Sequence, residues 1–185
     1  LALGLFSFFT YTGVETAAGQ WSFTVLTERR GVPAAVAGIL VSLYWAGLTA
    51  GRVAGGAAAR AVRPGLLIQG GSFLAVLAAV LFWWHPIPWI GLAALPLLGL
   101  GLAPIFPGLM TLTPERVGPA QAASAIGYQA AVAGLGATVI PASVGLLLQH
   151  FGLEMLGPFL VATAILLVAI EFVGSRRVAR PLAMQ

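Results

Sequence analysis

Cysteine, lysine and aspartate are absent from this chain of 185 residues, and each absence removes a class of function. Without cysteine there is no disulfide, no thiolate metal site and no cysteine nucleophile. Without aspartate, and with only His85 and His150 as histidines, the chain has no ligand cluster for a metal of its own. No HExxH, GxSxG or phosphate-loop pattern occurs, so neither an enzyme nor a cofactor is expected. Charge is also scarce. Charged residues make up 8% of the chain, against roughly one quarter in soluble domains. All nine basic residues are arginine and they cluster near the ends of apolar runs, which points to membrane topology and not to a nucleic-acid partner.

What is abundant is apolar sequence, at 59% of residues. It comes in runs of about 20, the length of a membrane-spanning helix, and not in the alternating segments of about 10 that build barrels. An all-α membrane bundle is therefore expected, with spans near 3–26, 34–59, 66–84, 89–110, 122–148 and 156–173. No linker divides it, so 1–185 reads as one domain. The first span is too long and too polar for a secretory signal, and no Arg-rich transit segment is present. The chain begins at Leu1 and not Met, so a processed or excised piece of a longer protein is expected.

Short connections make neighbouring spans antiparallel. One side carries Arg52, Arg60, Arg63, Arg116, Arg176, Arg177 and Arg180, the other only Arg29 and Arg30. By the positive-inside rule the arginine-rich side, with both termini, is expected in the cytoplasm, and a bacterial inner (plasma) membrane is the expected location. Trp83, Trp84 and Trp89 would then form an aromatic belt around His85 on the outer side. The first three and last three spans start in opposite orientation, the inverted three-plus-three pattern of a half-transporter.

Glu15 is the residue that most needs a reason. It sits near the middle of the first span, where an acidic group costs about 2.5 kcal/mol or more and marks a functional site by default. The plainer reading is a protonated acid bonded between helices. Ser7, Thr10, Tyr11, Thr12, Thr16 and Gln20 make this span the most polar. Tyr11 lies four residues before Glu15 on the same face and can reach its carboxyl. Gln20 is about 140° further round an ideal helix, but Gly13 and Gly19 permit a bend that brings both toward one cavity.

Other spans offer further candidates. Gly47, Gly51 and Gly55 form a small-residue ridge for close packing, and the aromatic pair Tyr44 and Trp45 precedes it. That pair could stack on a sugar ring or simply fill the core. Tyr128 and Gln129 in the fifth span could contact a polyhydroxy solute, or Gln129 could bridge helices. Pro104 and Pro107 must bend the fourth span, either as a gate or to accommodate packing. Glu171 is expected to pair with Arg176 or Arg177.

The six-span pattern, Gly51-Arg52-Val53-Ala54-Gly55-Gly56 through Arg60, and the segment from Pro104 to Gly108 together resemble the C-terminal half of a major facilitator superfamily transporter. More narrowly, Tyr11-Thr12-Gly13-Val14-Glu15-Thr16-Ala17 with Trp21-Ser22-Phe23 is similar to the first helix of the second half in fucose permease-like sugar and proton symporters. The resemblance implies a twelve-span transporter whose cavity is lined by spans one, two, four and five of this half. It places Glu15, Gln20 and Trp21 on a cavity-lining helix and Arg52 and Arg60 at a cytoplasmic gating loop. The acidic residue usual in that loop motif is missing here. The expected function is proton-coupled transport of a small polar solute, most plausibly a sugar, by alternating access, with Glu15 binding solute or carrying the proton. Tyr11, Gln20, Trp21, Tyr44, Trp45, Tyr128 and Gln129 would contact solute, and Arg52, Arg60, Pro104 and Pro107 would serve gating. Partners would be the solute, protons, the lipid bilayer, and either an N-terminal half or a second copy of the chain. The competing reading is a non-transporting bundle that packs against another membrane protein.

Overall fold

The computed structural model describes residues 1–59, 61–85 and 88–178, apart from the side chains of residues 88–89 and 175–178. Arg60, Arg180 and the side chains of Trp89, Arg176 and Arg177 therefore lie outside the described residues. Seven helices follow in order: α1 Ala2–Thr24, α2 Ala34–Ala58, α3 Pro64–Trp84, α4 Pro88–Leu102, α5 Ile105–Val117, α6 Pro119–Phe151 and α7 Leu156–Val178. A π-helical turn, Val25–Arg29, extends α1, and a short 3₁₀ turn, Leu153–Met155, precedes α7.

Among the described residues five stretches are long and apolar enough to cross a bilayer: α2, α3, Ile90–Val117, α6 and Leu153–Gly174. The third of these joins α4 to α5, which are one span broken at Ala103 and Pro104. Pro104 caps α5 and Pro107 falls in its first turn, where amides have no intrahelical acceptor, so the break relocates the lost donors to a place where they cost little. α1 is not among the five, because Glu15 and its polar neighbours dilute an otherwise apolar helix. With α1 the fold has six spans.

Helix packing follows an inverted repeat. α1 packs most heavily on α6, and α2 packs on α4; α3 packs on α4 and α5 as α7 does on α1; and α3 meets α7. Exchanging α1, α2 and α3 with α4–α5, α6 and α7 maps this contact pattern onto itself. That is the inverted three-plus-three arrangement expected from the sequence.

Small residues make the close approaches, as expected where lipid removes any hydrophobic drive between helices. Gly47 and Gly51 of α2 lie against the Pro96 carbonyl, Leu100 and Ala103 of α4, and Gly136 of α6 lies against the Phe9 carbonyl of α1. Phe8 and Phe106 meet edge to face at 5.0 Å in the buried centre.

Two boundaries depart from the sequence expectation. The stretch 111–117, read as loop, is helical: the backbone ladder continues past the end of the apolar run, and Thr111 and Thr113 satisfy their hydroxyls on the carbonyls of Pro107 and Leu109 inside it. The reversal happens instead at Gly118, whose φ of 85° favours glycine. α6 also outruns its expected limits, at 33 residues or about 50 Å.

Candidate functional site

α1 and α2 are antiparallel neighbours, and helical side chains lean toward their own N-termini. Glu15 on α1 and Arg52 on α2 therefore lean toward each other. Arg52 Nη2 lies 2.8 Å from Glu15 Oε2. The Tyr11 hydroxyl, one turn earlier on α1, donates to the same Oε2, and Arg52 Nη2 lies 3.5 Å from that hydroxyl. Tyr44, from α2, donates its hydroxyl to the backbone carbonyl of Glu15 at 2.8 Å. Two side chains, one from each helix, thus hold the carboxylate, both on Oε2 and neither on Oε1, and Tyr44 holds the backbone beneath it.

Exposure divides the group. The side chain of Glu15 is 13% exposed and that of Arg52 is 41% exposed, whereas Tyr11 and Tyr44 are fully buried. An arginine on a lipid-facing surface at this depth would be costly, so the open side of Arg52 belongs to a wet cavity or a partner surface. The arrangement leaves Glu15 Oε1 without a side-chain partner and the guanidinium partly open, on a base anchored by Tyr44.

The other expected site residues separate into two groups. Gln20 is exposed on α1, Trp45 is 39% exposed with its ring against Gly19, and Tyr128 is 61% exposed on α6. Trp21 is half-buried, and its indole N–H donates to the Pro141 carbonyl at 2.9 Å, which fixes α1 to α6. Two expectations need correction. Tyr44 cannot offer a stacking face, because its ring is buried and its hydroxyl holds Glu15. Gln129 is 3% exposed and accepts a hydrogen bond from Thr113 at 3.0 Å, so it ties α6 to α5 inside the bundle. In each case the packing alternative left open by the sequence is the one seen, because a polar residue in an apolar helix looks the same whether it serves a ligand or a neighbouring helix.

Arg52 also moves from its expected place. Placed by the resemblance at a gating loop, it sits instead within α2 on a half-exposed face, as the ion-pair partner of Glu15. The signal that could have found it was present: an arginine six residues from the end of α2 is too deep for a loop. Arg60, its expected companion, lies outside the described residues.

Two further arginine–glutamate pairs bracket the site. At the end of the bundle that carries the chain's N-terminus, Glu171 receives Arg116 at 2.9 Å and the Ser7 hydroxyl at 2.8 Å, joining α7, α5 and α1. These bonds engage both carboxylate oxygens, and the side chains of Arg176 and Arg177, the partners first considered, lie outside the described residues. At the opposite end, Arg30 makes a two-pronged contact to Glu154, at 3.0 and 2.8 Å, and lies 4.5 Å above the Phe82 ring. A cavity of about 590 Å³ opens beside Arg63, Gln69, Glu115, Arg116 and Glu171 and does not reach Glu15. Among the described residues no cluster of three or more His, Cys, Asp or Glu side chains could hold a metal ion.

The profile of the Major Facilitator Superfamily matches residues 3–181 of this chain. No curated protein matches it. Among solved structures it is similar to a crystal structure of a mutant peptide transporter POT in complex with alafosfalin, with a TM-score of 0.78 and 16% sequence identity. The match covers 94% of this chain and 38% of that one, a likeness of fold in which this chain spans well under half of its relative's length.

Proposed function

This chain belongs to the Major Facilitator Superfamily, and from that premise we propose that it is the C-terminal half of a secondary transporter that moves a small polar solute by alternating access, coupled to protons through Glu15. Membership supports a multi-pass membrane protein that carries a solute and is not an enzyme. One observation carries the finer reading: a carboxylate in mid-span, bonded on a single oxygen to Tyr11 and to a half-exposed arginine. That ion pair has to open before Glu15 can exchange a proton, so proton movement would be tied to a change of partner at Arg52 as the cavity opens to one side or the other.

Gln20, Trp45 and Tyr128 are the accessible side chains that would meet the solute, and Trp21 would hold the wall in place. The break at Pro104 would let α5 swing relative to α4 as one face closes. A sugar is the solute suggested by the resemblance of the α1 motif to fucose permease-like symporters. A peptide is suggested by the printed description of the structural neighbour.

The test is solute-driven proton movement into liposomes, with the complete transporter beside this half alone, over a panel of sugars and small peptides. Uptake coupled to protons, lost in Glu15→Gln, supports the proposal. Full pH-dependent transport in that variant removes Glu15 from the mechanism. The competing assembly reading draws support from Gln129, which is consumed within the bundle. It requires that no solute raise thermal stability, whereas a bound solute stabilises by mass action.

A further inference from the structure

The cavity beside Arg63 and Glu115 does not reach Glu15, so it is separate from the solute site. We propose that it is a phospholipid site, in which Arg63 receives the phosphate and Glu115 the primary ammonium of a zwitterionic aminophospholipid such as phosphatidylethanolamine.

Depth is the first observation. Arg63 immediately precedes α3, and Glu115 and Arg116 stand within two residues of the end of α5. The cavity therefore opens where two spans end, at the level of lipid headgroups. Its volume of about 590 Å³ falls in the range of roughly 300–1,000 Å³ usual for small-ligand sites. Leu66, Ile68 and Leu112 add apolar lining to the charged groups.

Charge decides the chemistry. Arg63 and Arg116 balance Glu115 and Glu171 around the cavity, but the four are not equivalent. Arg116 and Glu171 neutralise each other, and Ser7 takes the second oxygen of Glu171. Arg63 and Glu115 are exposed, and among the described residues neither side chain makes an ion pair or a hydrogen bond. The Gln69 amide is uncommitted in the same way. An available cation and an available anion on one cavity match a ligand that carries both signs. A guanidinium binds phosphate oxygens through charge-assisted bonds, and a carboxylate accepts from the N–H groups of a primary ammonium. A choline headgroup has no N–H to give, and the lining holds no aromatic ring of the kind that receives a quaternary ammonium. A headgroup that is only anionic would leave Glu115 facing a like charge.

The adjoining surface favours a lipid over a soluble zwitterion. Leu66 lines the cavity and also starts the row Leu66, Gly70, Phe73 and Leu77, which follows one face of α3 at helical spacing. All four are exposed, and nothing lies within 4 Å of where a Cβ on Gly70 would stand. The charged cavity thus continues into an apolar strip with a notch at Gly70, running along the span as acyl chains do.

The experiment places the complete transporter in nanodiscs of phosphatidylethanolamine, phosphatidylcholine and phosphatidylglycerol in equal amounts, then counts by native mass spectrometry the lipids that remain bound after mild detergent extraction. Phosphatidylethanolamine should be retained over each of the others by about fivefold, the worth of one ionic contact near a membrane surface. Glu115→Gln should erase the preference over phosphatidylglycerol. Arg63→Gln should lower retention of all three lipids, and Arg63→Lys, which keeps the charge, should restore it. Both side chains are exposed, so thermal unfolding in lipid-free detergent should not change, which separates lost lipid from lost folding. Equal retention of the three lipids, or a preference that survives Glu115→Gln, would overturn the proposal. Displacement of the lipid by soluble glycerophosphoethanolamine would overturn it too, by showing that the cavity serves a soluble zwitterion. Neither readout depends on transport, so failure here leaves the transporter reading standing.

Discussion

Gly99 of α4 lies against the backbone carbonyl of Tyr44, so closely that a methyl group would overlap the oxygen. The same Tyr44 reaches across with its hydroxyl to the carbonyl of Glu15. The contact between α4 and α2 thus sets the height at which α2 presents both Tyr44 and Arg52 to the carboxylate.

Gly99→Ala should therefore lower stability by about 1–3 kcal/mol, since added volume against backbone cannot be absorbed by a rotamer change. It should also disturb the Glu15 site. Gly70→Ala on α3, where a Cβ meets nothing within 4 Å, is the control and should be neutral or mildly stabilising. Thermal unfolding in detergent separates the two, and equal midpoints would refute the packing assignment.

Gln129→Leu tests whether that amide serves the bundle. Loss of the Thr113 bond should cost about 0.6–1.7 kcal/mol, the range for hydrogen bonds between membrane helices. Solute selectivity should not change. A change in the order of preferred solutes would return Gln129 to the binding site.

Removal of the guanidinium in Arg116→Ala leaves Glu171 buried with only the Ser7 bond among the described residues, and breaking a buried pair from one side costs about 3–5 kcal/mol. Arg116→Met with Glu171→Leu should recover much of that loss, because no charge is then stranded. A double-variant cycle followed by denaturation reports the difference. Additive losses would mean that the two side chains do not act as a pair.

Acid should loosen the opposite end of the bundle through Glu154. Burial alone would raise the pKa of this carboxyl, but the hydrogen bonds and charge of Arg30 outweigh it and hold the group below the ordinary value of 4.5. A carboxyl with a depressed folded pKa stabilises above its unfolded value, and that stabilisation disappears as pH falls through the folded one. The melting temperature should therefore drop as pH is lowered from about 5 through the folded pKa, and Glu154→Gln should flatten that drop. An unchanged acid slope in the variant would place the sensitivity elsewhere.

Much of the architecture was legible because lipid imposes simple rules. Runs of about 20 apolar residues had to be helices, and the arginine count divided the loops between two ends. Glu15 stood out for the same reason, and Tyr11 followed from the helical repeat. The end of the fourth span was misread at 111–117 because apolar pattern and helix ended at different places: backbone hydrogen bonds continue to Gly118 where hydropathy has already fallen.

The chain alone determined that this is a six-span helical membrane protein with a costly acid in its first span, since length, hydropathy and four-residue spacing are local properties. Only the tertiary structure decided what each polar group does. Arg52 meets Glu15 across 37 positions, Thr113 meets Gln129 across 16, and Arg116 meets Glu171 across 55. Such pairs depend on which helices touch and at what height. A one-dimensional pattern records how often a helix turns, but not which neighbour it faces when it does.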